Sequence, residues 1–140
     1  MARIFLGCPT HDGRIHDGCA KFFYKNASQQ HAVEGAVVTF SLLTFNCNLL
    51  WAWALSGHEA GLADWFALIH SDVEPGPNWL DTLIAEADRH GADVMTAVIP
   101  IKNQKGFTST AISHPSDECR PLFRLTMAQV RHPSFPVTFD

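Results

Sequence analysis

Trp65-Phe66-Ala67-Leu68-Ile69-His70-Ser71-Asp72-Val73-Glu74-Pro75-Gly76-Pro77-Asn78-Trp79-Leu80 is the stretch that decides how this chain is built. It opens on a short apolar run, Trp65 to His70, too brief for a helix and apolar enough for a buried strand. Ser71 to Pro77 follow at once as a polar turn sequence carrying Pro75, Gly76 and Pro77. Asn78 can then cap a helix with Asp81 in its first turn. Leu80, Leu83, Ile84 and Ala87 give that helix one apolar face before Gly91 stops it. Strand, polar loop and capped helix form the unit of a parallel α/β sheet, and the order delivers His70, Ser71 and Asp72 to the strand's carboxyl end.

The same unit recurs upstream. Arg3 to Pro9 reads as a buried strand that runs into the polar loop Thr10-His11-Asp12-Gly13-Arg14. From Ile15 to Gln30, Ile15, Cys19, Ala20, Phe23 and Ala27 recur at spacings of three and four, which predicts a helix, and Gly35 is the expected boundary. Ala36 to Thr44 is β-branched and aromatic enough for a second strand, with Asn46 or Asn48 as the cap of a largely buried helix from Leu49 to about Ala60. Downstream, Ala92 to Pro100 is the expected fourth strand, Lys102 to Gly106 a polar loop and Thr108 to Ile112 an edge strand.

The fold class that follows is α/β, a three-layer and mostly parallel sheet with helices on both faces, as one domain over residues 1–140 whose segment 113–140 is irregular. In such sheets ligands bind beyond the carboxyl ends of the strands, where strand order reverses. Thr10-His11-Asp12, Asn46-Cys47-Asn48 and His70-Ser71-Asp72 all fall there.

Composition narrows the function. With 14 acidic against 10 basic residues the formal charge is −4, and the basic residues are scattered, so no footprint for a nucleic-acid backbone is present. The longest apolar stretch, Leu49 to Leu55, is far short of the roughly 20 residues of a membrane span. Met1-Ala2-Arg3 runs straight into Ile4-Phe5-Leu6 without the pattern of a signal peptide, which makes a cytoplasmic location and reduced thiols the default expectation. Cys47 and Cys119 read as incidental thiols. Gly-x-Ser-x-Gly, Gly-x-Gly-x-x-Gly and Gly-Lys-Ser/Thr motifs are missing, which sets aside serine hydrolases, dinucleotide oxidoreductases and P-loop enzymes.

Pro9-Thr10-His11-Asp12 after the first strand, with Leu68-Ile69-His70-Ser71-Asp72-Val73-Glu74-Pro75 and then Trp79-Leu80 in a capped helix, resembles the family 2 glycosyltransferases and related nucleotide-diphospho-sugar transferases of the GT-A fold. The resemblance covers about residues 3 to 112. It implies a nucleotide-diphosphate sugar as ligand and transfer of the sugar to an acceptor hydroxyl. It places Pro9, Thr10, His11, Asp12, Asn46 and Asn48 toward the nucleotide. His70 and Asp72 stand where the family carries an Asp-x-Asp motif for a divalent metal on the diphosphate. Only the second carboxylate is kept here. Mg²⁺ prefers oxygen ligands, whereas His70 suits Mn²⁺ better.

A transferase of this kind also needs a general base for the acceptor hydroxyl. Asp117 and Glu118 are the adjacent acids of the C-terminal portion, and a solvated acidic loop is their simpler reading, so the base stays unassigned. Gly106 to Ala111 could face the donor sugar or be a Thr-rich edge strand. Two alternatives stay open. One is a truncated or degenerate module that binds nucleotide without turnover, completed by a dimer partner or by a missing C-terminal segment; Trp51 or Trp53 would be exposed for association. The other is a Rossmann-like domain with a structural zinc at Cys8, His11, His16 and Cys19, all residue types that bind zinc.

Overall fold

Ile4, Leu6 and Cys8 alternate along a strand, β1 (Arg3–Thr10), and all are buried on one of its faces. The computed structural model that shows this describes residues 1–24, 26–101, 105–113 and 122–131. β1 is the middle strand of a parallel sheet of order β2-β1-β3, with β2 (Ala32–Thr39) on one side and β3 (Trp65–Leu68) on the other. The buried face of β1 packs with Cys19 and Phe23 of α1 (Asp17–Tyr24) and with Leu80 and Ile84 of α3 (Trp79–His90). On the opposite face lies α2 (Leu43–Glu59), and Leu50 comes so close that a Cβ on Gly7 would sit 3.1 Å from its Cδ1. The α/β architecture with helices on both faces is therefore present within residues 1–95, one of the two compact units into which the chain divides.

Two polar clasps tie this unit together. At the amino edge the Arg3 backbone N–H donates to Asp64 at 2.8 Å and the guanidinium grips the same carboxylate, which joins the starts of β1 and β3. The hydrogen bonds from Arg3 hold the Asp64 carboxyl down at about 2. Both partners are exposed, so this pair sets register more than it stabilises. Asp81 is the second clasp and is buried. Its carboxylate accepts from the Ser28 hydroxyl and, at 2.9 Å, from the Gln29 N–H. Burial alone would push its carboxyl up, but the bonds from Ser28, Gln29 and Gln30 and the nearby His31 outweigh it, and the net shift is downward.

Several boundaries differ from the sequence expectation. The first helix ends at Tyr24 rather than Gln30. Beyond it, the Asn26 and Ala27 carbonyls accept from the N–H groups of Asn78 and Leu80 at 2.8 and 3.0 Å. Those carbonyls serve the donors that every helix N-terminus leaves open, so Asn78 starts α3 in a left-handed conformation (φ 56°) without a side-chain cap. Gly91 ends α3 as expected, at φ 62°.

Gly35 is not a boundary but the middle of β2, which begins four residues before the expected Ala36. A Cβ there would lie 2.8 Å from the Phe23 ring, so the glycine marks a close approach. Helix α2 starts at Leu43, six residues early, and Asn46 sits inside it. It is buried along Asn46, Leu50 and Ala54 only, and Phe45, Trp51, Trp53 and Leu55 are each about half exposed. The helix was expected to be largely buried, but the sheet covers one of its faces only. Both Trp residues are exposed, although Trp51 sets its ring edge-on to Phe66 at 5.5 Å.

The second unit is Thr96–Asp140. Residues 92–99, expected as a fourth strand, form none, and Val94 is 85% exposed. Pro100 makes one isolated antiparallel bridge to Thr108. β4 (Phe107–Ser113) contains the expected edge strand and pairs antiparallel with β5 (Leu122–Thr126). Thr126 closes a capping box with Gln129 on the short helix α4 (Met127–Val130). The expected irregular segment therefore includes a strand and a helical turn.

Two stability changes follow. Gly35→Ala should lower stability by about 1–3 kcal/mol, because the Phe23 ring is held in the core and must shift, and urea unfolding measures it. Asp81→Asn should cost a similar amount at pH 7, on the order of 1–3 kcal/mol. The Asp81 carboxyl lies lower in the folded than in the unfolded chain, so its contribution is fully present above about pH 4 and is lost as pH falls through the folded value. The stability gap between wild type and Asp81→Asn should therefore close on acidification; a gap that stays constant from pH 7 to 3 would contradict the clasp.

Candidate functional site

The chain crosses from β2 over β1 to β3, so strand order reverses beside β1, and a cavity of about 400 Å³ opens at the carboxyl ends of all three strands. β1 contributes Pro9 and, just past its end, His11. Phe40 and Ser41 come from the link between β2 and α2, and Leu43 is the first residue of α2. The loop after β3 brings His70, Ser71 and Asp72.

That last loop is held by its backbone. The Ser71 carbonyl accepts from the His16 N–H at 2.8 Å, and the His70 carbonyl accepts from the Val73 N–H at 3.1 Å and from the Cys19 thiol at 3.5 Å. With the main chain tied down, the His70 and Asp72 side chains are exposed at the cavity. Both line the same cavity, and a carboxylate with an imidazole is a donor pair that suits Mn²⁺ or a later transition metal better than Mg²⁺. Among the described residues no group of three or more His, Cys, Asp and Glu side chains is placed to hold a metal ion.

The other residues singled out from the sequence divide cleanly. Thr10 is buried, and its hydroxyl accepts from the Gly13 N–H at 2.6 Å, shaping the turn that leads to His11. Asp12 is exposed, accepts from the Arg14 N–H at 3.0 Å and pairs with its guanidinium, away from the cavity lining. Asn46 does not line the cavity either. Its side chain is fully buried, and its amide donates to the Thr10 carbonyl at 2.9 Å and the Phe40 carbonyl at 3.0 Å, fastening the carboxyl ends of β1 and β2 to α2. Asn48 is an exposed residue of α2 outside the lining. Phe40, Ser41 and Leu43 were read as strand. The signal that could have marked them is their position just before Asn46, once that residue is placed inside the helix.

The zinc alternative does not assemble. Cys8 and Cys19 are buried in the core, where burial pushes the Cys8 thiol up to about 12 and raises the Cys19 thiol, and among the described residues no group of three or more candidate ligands comes together to hold a metal ion. His11 and His16 are exposed, with Nδ1 of His11 3.3 Å from the Ser41 carbonyl and Nδ1 of His16 accepting from the Gly18 N–H at 3.3 Å. In the second unit the Thr108 hydroxyl donates to the Leu125 carbonyl at 2.9 Å, and Ser109 Oγ accepts from the Ile99 N–H at 3.2 Å. Asp117 and Glu118, with Cys119, lie outside the described residues.

Comparison with known proteins gives one finding. No curated protein and no solved structure matches the chain. Residues 36–138 match the family described as Glycosyl transferase family 2, a stretch that runs from inside β2 through the His70-Ser71-Asp72 loop and on across the described part of the second unit. That match covers more than half of the chain and agrees with the parallel α/β core and its carboxyl-edge cavity, and the chain accordingly belongs to glycosyl transferase family 2.

Proposed function

We propose that the cavity binds a nucleotide-diphosphate sugar and that the protein transfers the sugar to an acceptor hydroxyl. The observation that carries this reading is the presentation of His70 and Asp72, on a loop with a pinned backbone, at the point where the strand order reverses. In the transfer the acceptor oxygen bonds to the anomeric carbon as the bond from that carbon to the diphosphate oxygen breaks. The nucleoside diphosphate leaves with the electron pair, and the hydroxyl proton passes to a base. Negative charge grows on the leaving group, and the site must offset it. His70 and Asp72 would hold a divalent cation, Mn²⁺ by the character of the donor set, and when bound it supplies positive charge at the diphosphate oxygens. His11 also lines the cavity, with Nδ1 3.3 Å from the Ser41 carbonyl. Pro9 fixes the end of β1 next to it.

The test is a thermal-shift titration with UDP and GDP, each with and without Mn²⁺, on the wild type and on Asp72→Ala. A ligand at 100 times its Kd should add about 2.7 kcal/mol, a rise of several degrees for a domain of this size. The expected result is stabilisation that needs Mn²⁺ in the wild type and disappears in Asp72→Ala. The absence of any shift with either nucleotide under both conditions would overturn the reading. Binding with no sugar transfer to any acceptor offered would leave the non-catalytic module as the description of the protein.

A further inference from the structure

Helix α2 lacks what normally marks a helix at the surface, a charged outer face. No Asp, Glu, Lys or Arg occurs from Gly35 to His58, in a chain of which 17% is charged. Yet the sheet covers only the stripe of Asn46, Leu50 and Ala54. Leu42, which precedes the helix, and Phe45, Trp51, Trp53 and Leu55 within it are each 45% to 61% exposed. Three half-exposed aromatic side chains and two leucines leave on the order of 500 Å² of apolar surface open. A stable dimer buries about 800 Å² on each partner, so this one helix supplies a large part of what such a contact needs.

The order of residues along the open face says what covers it. Phe45, Asn48, Ala52 and Leu55 are all exposed and follow one another at steps of three, four and three, the spacing that sets side chains in a seam along one side of a helix. Trp51 and Trp53 lie about 200° apart around the axis and form its two flanks. The spacing reads the same in both directions. A second copy of α2 laid antiparallel across a two-fold axis therefore sets Phe45 against Leu55 of the second copy, and Asn48 against Ala52 of the second copy. Large apolar groups meet at both ends, Ala52 lets the two backbones approach near the middle, and Asn48 keeps a polar group there that fixes register. The antiparallel arrangement also brings the positive amino end of each helix beside the negative carboxyl end of the other. Because the stretch carries no fixed charge, two identical copies oppose no like charges across it, whereas an anionic partner would find no cation to hold. We propose that α2 is a dimerisation helix, which pairs antiparallel with α2 of a second copy through the Phe45-Asn48-Ala52-Leu55 seam. This is independent of the nucleotide-sugar reading, although it puts the interface on the helix whose first residue, Leu43, lines the cavity.

The experiment is sedimentation velocity of the full chain at about 1 to 200 µM, a range that brackets a micromolar Kd. It compares the wild type with Ala52→Glu, Leu55→Lys and Asn48→Lys, and a circular-dichroism melt of each is the folding control. All three positions are exposed, so the substitutions leave the fold of one copy intact. The wild type should dimerise with a Kd on the order of micromolar, and each variant should weaken the dimer by about 100-fold or more, because the two-fold contact encloses the new charge twice. The register adds a second readout. An equimolar mixture of Asn48→Lys and Ala52→Glu should associate again, to within about 10-fold of the wild type, since residue 48 of one copy faces residue 52 of the other. A wild type that stays monomeric over the whole range overturns the proposal. A dimer that survives all three substitutions places the interface elsewhere and overturns it as well. Single variants that are monomeric alone and remain so when mixed overturn the antiparallel pairing.

Discussion

One buried amide holds the carboxyl edge of this protein together. Asn46 has no exposed surface, and both hydrogens of its side-chain nitrogen are spent on main-chain carbonyls, one at the end of β1 and one just past β2. A carbonyl left unpaired in such a place costs about 1–3 kcal/mol. The same amide sits on α2, whose Leu50 lies one turn further along over Gly7, so the polar contact fixes the end of the sheet and the apolar contact fixes the distance of the helix from it. The Asn46 side-chain oxygen, Oδ1, is buried with no hydrogen-bond partner among the described residues. The cavity wall from Pro9 to Leu43 depends on this arrangement, because the residues that line it there follow directly from the two strand ends that Asn46 joins.

Local pattern made some of the fold legible and hid the rest. β1, β3 and α3 were readable because their signals are self-contained: an alternating or continuous apolar run, a Pro-rich turn, one apolar face and a terminal Gly. β2 and α2 were displaced because the residues that looked like punctuation serve tertiary contacts. Gly35 suggests a break, yet it lies within a strand because the Phe23 ring needs its space. Asn46 suggests a cap, since Asn favours caps, yet its side chain reaches backwards to two strand ends instead of to its own helix. Asn78 shows the converse: the cap position was right, but the work of capping is done by carbonyls some fifty residues away in the chain.

For the site, the polar half was visible and the apolar half was not. Pro9, His11, His70 and Asp72 stand at strand ends, and polar or turn residues at strand ends are what a sequence reading looks for. Phe40 and Leu43 carry no such mark, because an aromatic and a leucine beside β-branched residues read as strand core. Cys19 and His16 were legible as residue types that bind zinc, but their place in the structure is another one. The Cys19 thiol and the His16 main chain support the His70-Ser71-Asp72 loop from behind, so the pair contributes to the site mechanically.

On the proposed reading, a cation site built from one carboxylate and one histidine has an electrostatic consequence. A site with two carboxylates and a diphosphate presents its cation with an excess of negative charge, and the like charges oppose one another across a short distance. With His70 the protein contributes one negative charge, from Asp72, and a nitrogen donor that carries no negative charge. On that reading a cation would be held less by the protein and more by a bound diphosphate, which would make metal and nucleotide binding mutually dependent. On that reading the pinned His70-Ser71-Asp72 loop would matter more than a permanent metal centre, because the protein would fix the two donors and a bound diphosphate would complete the set.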